Sequence, residues 1–170
     1  MIEIKREENK ESNYKILLSA ITEISQSEPN AIAVLAGTSA LLFSMLDDVN
    51  WAGFYLLAAA NSEEARKNGD RAELVVGPYQ GNLACMRIPL GSGVCGTAVK
   101  SGKIIRVDDV HAFPGHIACD SASNSEIVLP IKKSGKIFGV LDIDSPKFSR
   151  FDDLDETYLS KITAVLSENF

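Results

Sequence analysis

The sequence predicts an α+β fold, built as a single domain over residues 1–170. Three observations support this class: helical periodicity near both ends of the chain, a run of short β-type segments between them, and turn signals that join those segments as hairpins. A length of 170 residues is typical of one domain. Helices that flank a mostly antiparallel run of strands are the pattern of the α+β class.

Helices are expected at both ends of the chain. Apolar residues recur at helical spacing over 17–24, and Pro29-Asn30 separates this stretch from a second apolar one that ends at Asp47-Asp48. The last segment, 151–169, again has apolar residues at helical spacing, with Asp152 as its N-cap. Two successive helices are therefore predicted at the N-terminal end and one at the C-terminal end.

The first strands follow the second helix. The aromatic and aliphatic run 50–58 predicts a central strand. The segment 61–71 is almost wholly polar and contains Asn68-Gly69, a strong turn signal, before β character resumes at Glu73. We interpret this part as a hairpin with a solvated, dispensable loop.

A third strand is predicted over 82–89, where alternation places Cys85 away from the main core. The segment 108–123 has no periodicity, and a loop of that length inside one domain is usually functional. Further strands are expected at 103–107, 125–132 and 137–143, the last two forming a hairpin.

Composition excludes several classes of function. The 17 basic and 23 acidic side chains give a net charge of -6 with no basic block, which disfavours nucleic acid and anionic membranes as partners. The uncharged stretch 29–46 has no basic flank and Gly37-Thr38-Ser39 at its centre, so it is interpreted as a buried helix. No secretory signal is recognised, and three cysteines cannot pair fully, so the protein is expected in the cytoplasm.

A glycine-rich segment from Gly91 to Gly96 formally matches the dinucleotide-binding pattern G-x-G-x-x-G. That pattern requires a buried strand before it, a full helix after it and an acid about 20 residues further on, and none of these is present. We interpret the segment as a structural turn, and no cofactor is predicted. The turn places Cys95 at a helix N-terminus, where the dipole favours thiolate.

The segment 111–119 contains two histidines and a cysteine, which could supply imidazole and thiol ligands to zinc. These residues are His111, His116 and Cys119. Their spacing matches no standard zinc pattern and no C-x-x-C accompanies them, so no metal is predicted. The histidines are expected either to satisfy backbone groups or to lower the pKa of Cys119.

The cysteines are Cys85, Cys95 and Cys119. A free cysteine is often an inert core residue. Here one is predicted on a strand, one at a helix start and one in the long polar loop. This distribution favours a nucleophile with resolving partners.

Acidic residues form a further candidate site. Asp142 and Asp144 flank Ile143, so on a strand both point to one face, and Glu126 on the adjacent strand can join them. Neighbouring acids raise the pKa of at least one member, so the group could bind an ammonium and keep one proton. The alternative is an edge strand with a solvated acidic face.

Four segments resemble the free methionine-(R)-sulfoxide reductases, a family of stand-alone GAF-domain enzymes. The resemblance covers most of the chain after residue 50, including the spacing of the cysteines, and HAFPGHIACDSASNSE separates it from general GAF sensors. The four segments are NWAGFYLL (50–57), GPYQGNLACMRIPLGSGVCGTA (77–98), VDDVHAFPGHIACDSASNSEIVLPI (107–131) and GVLDIDSPKFSRFDDLD (139–155).

The resemblance implies a GAF fold, with a central antiparallel sheet, terminal helices on one face and a ligand pocket under the long loop on the other. The implied reaction is the reduction of free L-methionine (R)-sulfoxide to methionine, with electrons from thioredoxin. A sulfoxide sulfur becomes electrophilic when its oxygen is protonated, so the site needs a thiolate and a proton donor.

Roles follow from the same resemblance. Cys119 is expected to be the nucleophile and to become a sulfenic acid, with Cys95 as the first choice to close a disulfide and Cys85 as the alternative resolver or a relay to thioredoxin. The acids Glu126, Asp142 and Asp144 are expected to donate the proton and to bind the ammonium.

The sequence also suggests which residues contact the methyl group and the carboxylate of the substrate. Trp51 and Tyr55 either hold the substrate methyl group or pack in the core. The substrate carboxylate is expected to meet backbone N–H groups near 117–119.

Two alternatives stay open. One is a non-catalytic GAF sensor that holds a small ligand, and the other is a redox-sensing module without a small substrate. A sensor needs no pair of thiols, so thiol dependence separates it from the enzyme. Whether the chain forms a homodimer is also left open.

Overall fold

The computed structural model describes residues 4–69, 71–117 and 119–169. The helices of this part are α1 (Lys10–Ser27), α2 (Ala31–Met45), α3 (Glu63–Asn68), α4 (Gly93–Ser101) and α5 (Asp153–Ser167), with a 3-10 turn at Val110–Ala112. Its strands are β1 (Trp51–Ala59), β2 (Ala72–Gly81), β3 (Arg87–Pro89), β4 (Ile105–Val107), β5 (Ser125–Lys133) and β6 (Lys136–Ser145).

The strands form one antiparallel sheet in the order β3-β2-β1-β6-β5-β4. The run 50–58 therefore becomes a central strand, as predicted, and β5 and β6 form the predicted hairpin. Asp152 caps α5, where its side chain accepts the backbone N–H of Asp155 and the Asp155 carboxylate accepts the N–H of Asp152. The α+β class is confirmed.

Side-chain alternation separates the two faces of the sheet. Ala52 and Phe54 of β1 and Leu141 and Ile143 of β6 pack with α1, α2 and α5 in the larger apolar cluster. The side chains between them face the other way, where α4 and the long loop cover the sheet. Terminal helices on one face and the long loop over the other are the arrangement that the family resemblance implied, and α4 on the loop side is an addition to it.

The predicted third strand is shorter than expected, because only Arg87–Pro89 pairs with β2. Gly81 ends β2 with a φ of 125°, and the chain then runs irregularly to residue 86. The prediction that Cys85 lies on a strand is wrong, although it does point away from the main core. Cys85 packs, half-buried, against the cluster on the α4 face, and its carbonyl accepts a hydrogen bond of 3.0 Å from the Tyr55 hydroxyl.

The polar segment 61–71 also differs from its prediction, because it contains the short helix α3. The buried carboxylate of Glu73 accepts the backbone N–H groups of Asn61 and Ser62 at 2.6 and 3.1 Å, and so satisfies donors at the start of that helix. Glu73 also pairs with Arg87. The loop is therefore tied to the sheet at its base and is not a free extension.

None of the helices in the described part of the chain is both long and apolar enough to cross a lipid bilayer. The apolar stretch 29–46 becomes α2, with Asn30 as its N-cap.

Candidate active site

A small cavity of ≈ 30 Å³ lies on the α4 face of the sheet. That volume holds about two water molecules. Residues of β1, β3, α4, the long loop, β5 and β6 line it, so elements far apart in the sequence meet at this cavity. The polar and sulfur-containing members of the lining are Trp51, Tyr55, Cys95, His116, Cys119, Asp120, Ser123, Glu126, Asp142 and Asp144.

The acids reach the cavity through the register of the sheet. Asp144 on β6 pairs with Trp51 on one side and with Glu126 on the other. Asp142, two residues earlier, pairs with Gly53 and also faces the cavity. The predicted cluster of three carboxyls therefore exists, and it lies at the centre of a covered face and not on a solvated edge strand.

The aromatic wall depends on the glycine between its two members. A Cβ on Gly53 would lie 2.2 Å from the Cβ of Tyr79 and 2.8 Å from the Trp51 ring, so only glycine allows this packing. The Trp51 ring stacks between Tyr55, at 5.7 Å between centroids, and Tyr79, at 5.1 Å. Trp51 and Tyr55 thus line the cavity and are also core residues, and contact with a substrate methyl group stays a prediction.

Burial keeps the acids protonated to higher pH than usual. It raises the pKa of Asp142 to about 6 and raises the pKa of Glu126 well above its ordinary value, with the charges of Asp142 and Asp144 adding to the effect on Glu126. Burial and the charge of Asp142 likewise raise the pKa of Asp144. The cluster therefore holds at least one proton close to neutral pH, as a proton donor must.

The raised pKa of Asp142 predicts that the protein loses stability as the pH rises. A carboxyl with a raised folded-state pKa stabilises the fold fully below its unfolded pKa, and that contribution is lost as the pH rises through the folded value of about 6. Asp142→Asn cannot ionise, so its free energy of unfolding should gain on that of the wild type by about 2 kcal/mol between pH 4 and pH 7. Urea unfolding over that range measures the difference.

The control for this measurement is Glu63→Gln, which removes a carboxyl that is 83% exposed. The difference in free energy of unfolding between Glu63→Gln and the wild type should not show the increase between pH 4 and pH 7 that is expected for Asp142→Asn. A constant difference between Asp142→Asn and the wild type from pH 4 to pH 7 would contradict the raised pKa.

A disulfide joins Cys85 to Cys119, whose Cα atoms lie 5.3 Å apart. Cys119 lines the cavity. The Tyr55 hydroxyl donates a hydrogen bond to the backbone carbonyl of Cys85 and so fixes its position. The prediction that Cys95 is the first partner of Cys119 disagrees with the structure, because Cys95 is a free, buried thiol. The alternative partner, Cys85, is the residue that makes the bond.

Cys95 lies inside the acidic cluster, with its sulfur 3.9 Å from the Glu126 carboxylate. Gly96 allows this placement, because a Cβ there would lie 2.4 Å from the Pro89 carbonyl oxygen. The prediction that the helix N-terminus favours a Cys95 thiolate is wrong. Burial, and then the charges of Asp142 and Glu126, raise the pKa of the thiol and outweigh the dipole.

The long loop contributes residues that the sequence did not single out. Asp120 accepts hydrogen bonds from Asn50 at 3.0 Å and Asn82 at 3.1 Å, and Asn50 also donates to Ser123 at 3.0 Å. The hydrogen bond from the backbone N–H of Ala122 lowers the pKa of Asp120 and so favours its ionised form. The Asp120 carboxylate therefore accepts hydrogen bonds that fix the loop next to Cys119. Asn50 lies just before β1 and meets Asp120 and Ser123 only in the folded protein, so their hydrogen bonds could not be predicted from the sequence.

The loop histidines do not assemble the zinc site that their sequence allowed. His111 shares a hydrogen bond of 2.9 Å with Asn124, its ring centroid lies 6.4 Å from that of His116, and Cys119 is in the disulfide. Burial lowers the pKa of His116, with His111 adding to the effect. Of the backbone groups expected to meet a carboxylate at 117–119, residue 118 lies outside the described residues.

Three buried polar atoms of this site have no hydrogen-bond partner among the described residues. They are Trp51 Nε1, His116 Nδ1 and Asp142 Oδ1. Trp51 Nε1 is a donor, Asp142 Oδ1 is an acceptor when ionised, and His116 Nδ1 can act as either. Because buried polar groups are normally paired, these atoms point to a ligand that carries both donors and acceptors.

The fold and the covered pocket are those of a GAF domain, and the GAF domain family model matches residues 30–168. The chain is 49% identical over 160 residues to the free methionine-R-sulfoxide reductase of Escherichia coli (strain K12), an alignment that covers 94% of this chain and 90% of that protein. It therefore belongs to the free methionine-R-sulfoxide reductase family of GAF-domain proteins.

Solved structures agree with this family. The fRMsr of Staphylococcus aureus in its reduced form is 46% identical with a TM-score of 0.81, over 92% of this chain and 94% of that chain. The free methionine-R-sulfoxide reductase of Neisseria meningitidis, solved in complex with its substrate, is 38% identical with a TM-score of 0.86, over 100% of this chain and 95% of that chain.

Proposed function

We propose that this protein reduces free L-methionine (R)-sulfoxide to L-methionine in the cytoplasm, using Cys119 as nucleophile and Cys85 as the resolving thiol. The observation that carries the proposal is the Cys85–Cys119 disulfide, because its Cys119 lines the same cavity as the three carboxyls. A sulfoxide reductase needs this pairing of a redox thiol with a proton donor.

The unpartnered atoms fit a free amino acid with a sulfoxide. The ammonium supplies donors to Asp142 Oδ1, while the sulfoxide and carboxylate oxygens supply acceptors to Trp51 Nε1 and, if protonated there, to His116 Nδ1. The acidic cluster supplies the negative charge that an ammonium requires. The disulfide occupies Cys119 on the cavity wall, so we expect the reduced protein to be the form that reacts with the substrate.

The chemistry takes two thiols and one sulfoxide. The Cys119 thiolate attacks the sulfoxide sulfur while a protonated acid of the cluster gives its proton to the sulfoxide oxygen, and the oxygen ends on Cys119 as a sulfenic acid when methionine leaves. The Cys85 thiol then attacks the sulfenic sulfur, which forms the disulfide and releases water. The net change is sulfoxide plus two thiols to thioether, disulfide and water.

We propose thioredoxin as the reductant of this disulfide. A thioredoxin thiolate must reach one of the two sulfurs from outside, and the segment that carries Cys85 is flanked by Leu83, 75% exposed, and Met86, 49% exposed. These side chains support an accessible approach to Cys85. A homodimer stays a prediction.

The direct test is a coupled assay. The reduced protein is mixed with free methionine (R)-sulfoxide, thioredoxin, thioredoxin reductase and NADPH, and both NADPH oxidation and methionine formation are followed. One NADPH should be oxidised for each methionine formed. Failure to form methionine, even from stoichiometric reduced protein, would refute the proposed function.

The role of Cys85 is tested by single-turnover stoichiometry. Cys85→Ser should form about one equivalent of methionine and then stop, with a sulfenic acid on Cys119 that a dimedone probe labels. Cys95→Ser, the matched cysteine variant, should complete repeated thioredoxin-dependent turnovers. Sustained cycling of Cys85→Ser, or a stop after one equivalent in Cys95→Ser, would return Cys95 to the resolving role.

A further inference from the structure

Cys95 has no task in the proposed reaction, yet its environment is unusual for a thiol. It is 3% exposed, and its sulfur lies between the carboxyls of Glu126 and Asp142. A buried thiol that fills space normally lies among apolar groups. A thiol packed against two acids has the composition of a cation-binding site.

The three ligand atoms lie close together, although their spacing is somewhat wider than a tetrahedral ion requires. One ligand atom from each of Cys95, Glu126 and Asp142 lies within 4.8 Å of the others, and the sulfur-to-Glu126 distance is 3.9 Å. Zinc bonds of about 2.3 Å to sulfur and 2.1 Å to oxygen give a tetrahedral edge of about 3.6 Å. Small rotations of the side chains therefore complete a three-ligand site.

An independent observation points to a missing cation. Asp142 is only 5% exposed, lines the cavity and leaves Oδ1 without a hydrogen-bond partner in the described part of the chain. Among the described residues that line this cavity there is neither lysine nor arginine, and His116 is the one basic member. The cavity has room for an ion and a coordinating water.

We propose that Cys95, Glu126 and Asp142 bind a thiophilic divalent cation of the zinc class, and that the bound cation excludes a ligand ammonium from the cavity. The thiolate selects zinc-like ions over magnesium and calcium, which prefer oxygen ligands. Binding forms a metal–sulfur bond and releases the Cys95 proton to solvent, with no change of oxidation state. The cation is an inhibitor at this site and not a cofactor of the reaction.

The test uses cobalt as a spectroscopic probe in a protein with one thiol. The double variant Cys85→Ser/Cys119→Ser keeps Cys95 as its only cysteine. Titration with Co²⁺ should produce a thiolate-to-cobalt charge-transfer band in the near ultraviolet that saturates at one equivalent, and Zn²⁺ should abolish it. The absence of this band in the folded double variant would overturn the proposal.

Two matched variants show which residues bind the ion. Adding Cys95→Ser should remove the band, and adding Glu126→Gln should keep a thiolate band but weaken Co²⁺ affinity at least about tenfold. Circular dichroism confirms that each variant is folded. A band that survives Cys95→Ser, or an affinity that Glu126→Gln leaves unchanged, would place the metal elsewhere and refute the site.

The overlap with the ligand pocket is tested in the same double variant. Free L-methionine should raise the apparent dissociation constant of Co²⁺ in proportion to its concentration and by more than an equal concentration of glycine, which chelates Co²⁺ in solution in the same way, while N-acetyl-methionine should have no effect. If methionine raises this constant no more than glycine does, although methionine binds, exclusion of the ammonium is disproved. None of these measurements requires turnover, so their failure leaves the proposed function untouched.

Discussion

Cys119→Ser is expected to lower kcat for free methionine (R)-sulfoxide by at least about three orders of magnitude, because a hydroxyl of similar size supplies no nucleophilic anion near neutral pH. Cys119 and Cys95 both line the cavity with the acids, but burial raises the pKa of the Cys95 thiol and so disfavours its thiolate, and Cys85 is not part of the lining. Steady-state kinetics with the thioredoxin system measures the loss, and single-turnover experiments detect any methionine formed stoichiometrically.

The matched control for this variant is Cys85→Ser. Both substitutions prevent the disulfide, so both proteins should have the circular dichroism spectrum and thermal transition of the reduced wild type. Only Cys85→Ser should release one equivalent of methionine. If Cys119→Ser also releases an equivalent, another cysteine attacks the sulfoxide and the assignment of the nucleophile fails.

Acetylation of the substrate amine is expected to lower kcat/KM by about two orders of magnitude. N-acetyl-methionine sulfoxide has no ammonium, so it leaves the ionised carboxyls of the buried cluster without a cationic partner. A mismatch of ~3 kcal/mol corresponds to about a hundredfold at ~1.4 kcal/mol per tenfold. Kinetics on the free and acetylated (R) epimers, run in parallel, measures the ratio.

Two comparisons make this result specific. Asp142→Asn removes one charge from the cluster, so acetylation should cost this variant less than it costs the wild type. The (S) epimer of the free compound should react more slowly, because a fixed pocket directs the oxygen of one epimer toward the acids. Comparable kcat/KM values for free and acetylated substrates in the wild type would sink the assignment of a free amino acid.

The predictable part of the fold rests on strong periodic signals. The helices at both ends and the hairpin of β5 and β6 follow from spacing alone, because each buries a long apolar face. Asp142 and Asp144 could be placed on the pocket face for the same reason, since Leu141 and Ile143 had to face the helices. These assignments need no knowledge of distant contacts.

The cysteine pairing could not be predicted in this way. Cys85 and Cys119 are 34 residues apart in sequence, and each lies in an irregular segment whose path depends on contacts such as Tyr55 to Cys85 and Asn50 to Asp120. The helix α3 was missed for a related reason. Its start is stabilised by Glu73, which follows it in the chain and approaches it only after the hairpin forms.

One strand carries the requirements of both faces of the sheet. Leu141 and Ile143 of β6 fill the helical core, and Asp142 and Asp144 between and beside them face the cavity. Insertion or deletion of a single residue within this strand would exchange the two sets, burying acids among aliphatic side chains and lining the cavity with aliphatic ones. Descendants of this sequence can therefore alter the chemistry of β6 by substitution only, because a change in its length loses folding and function together.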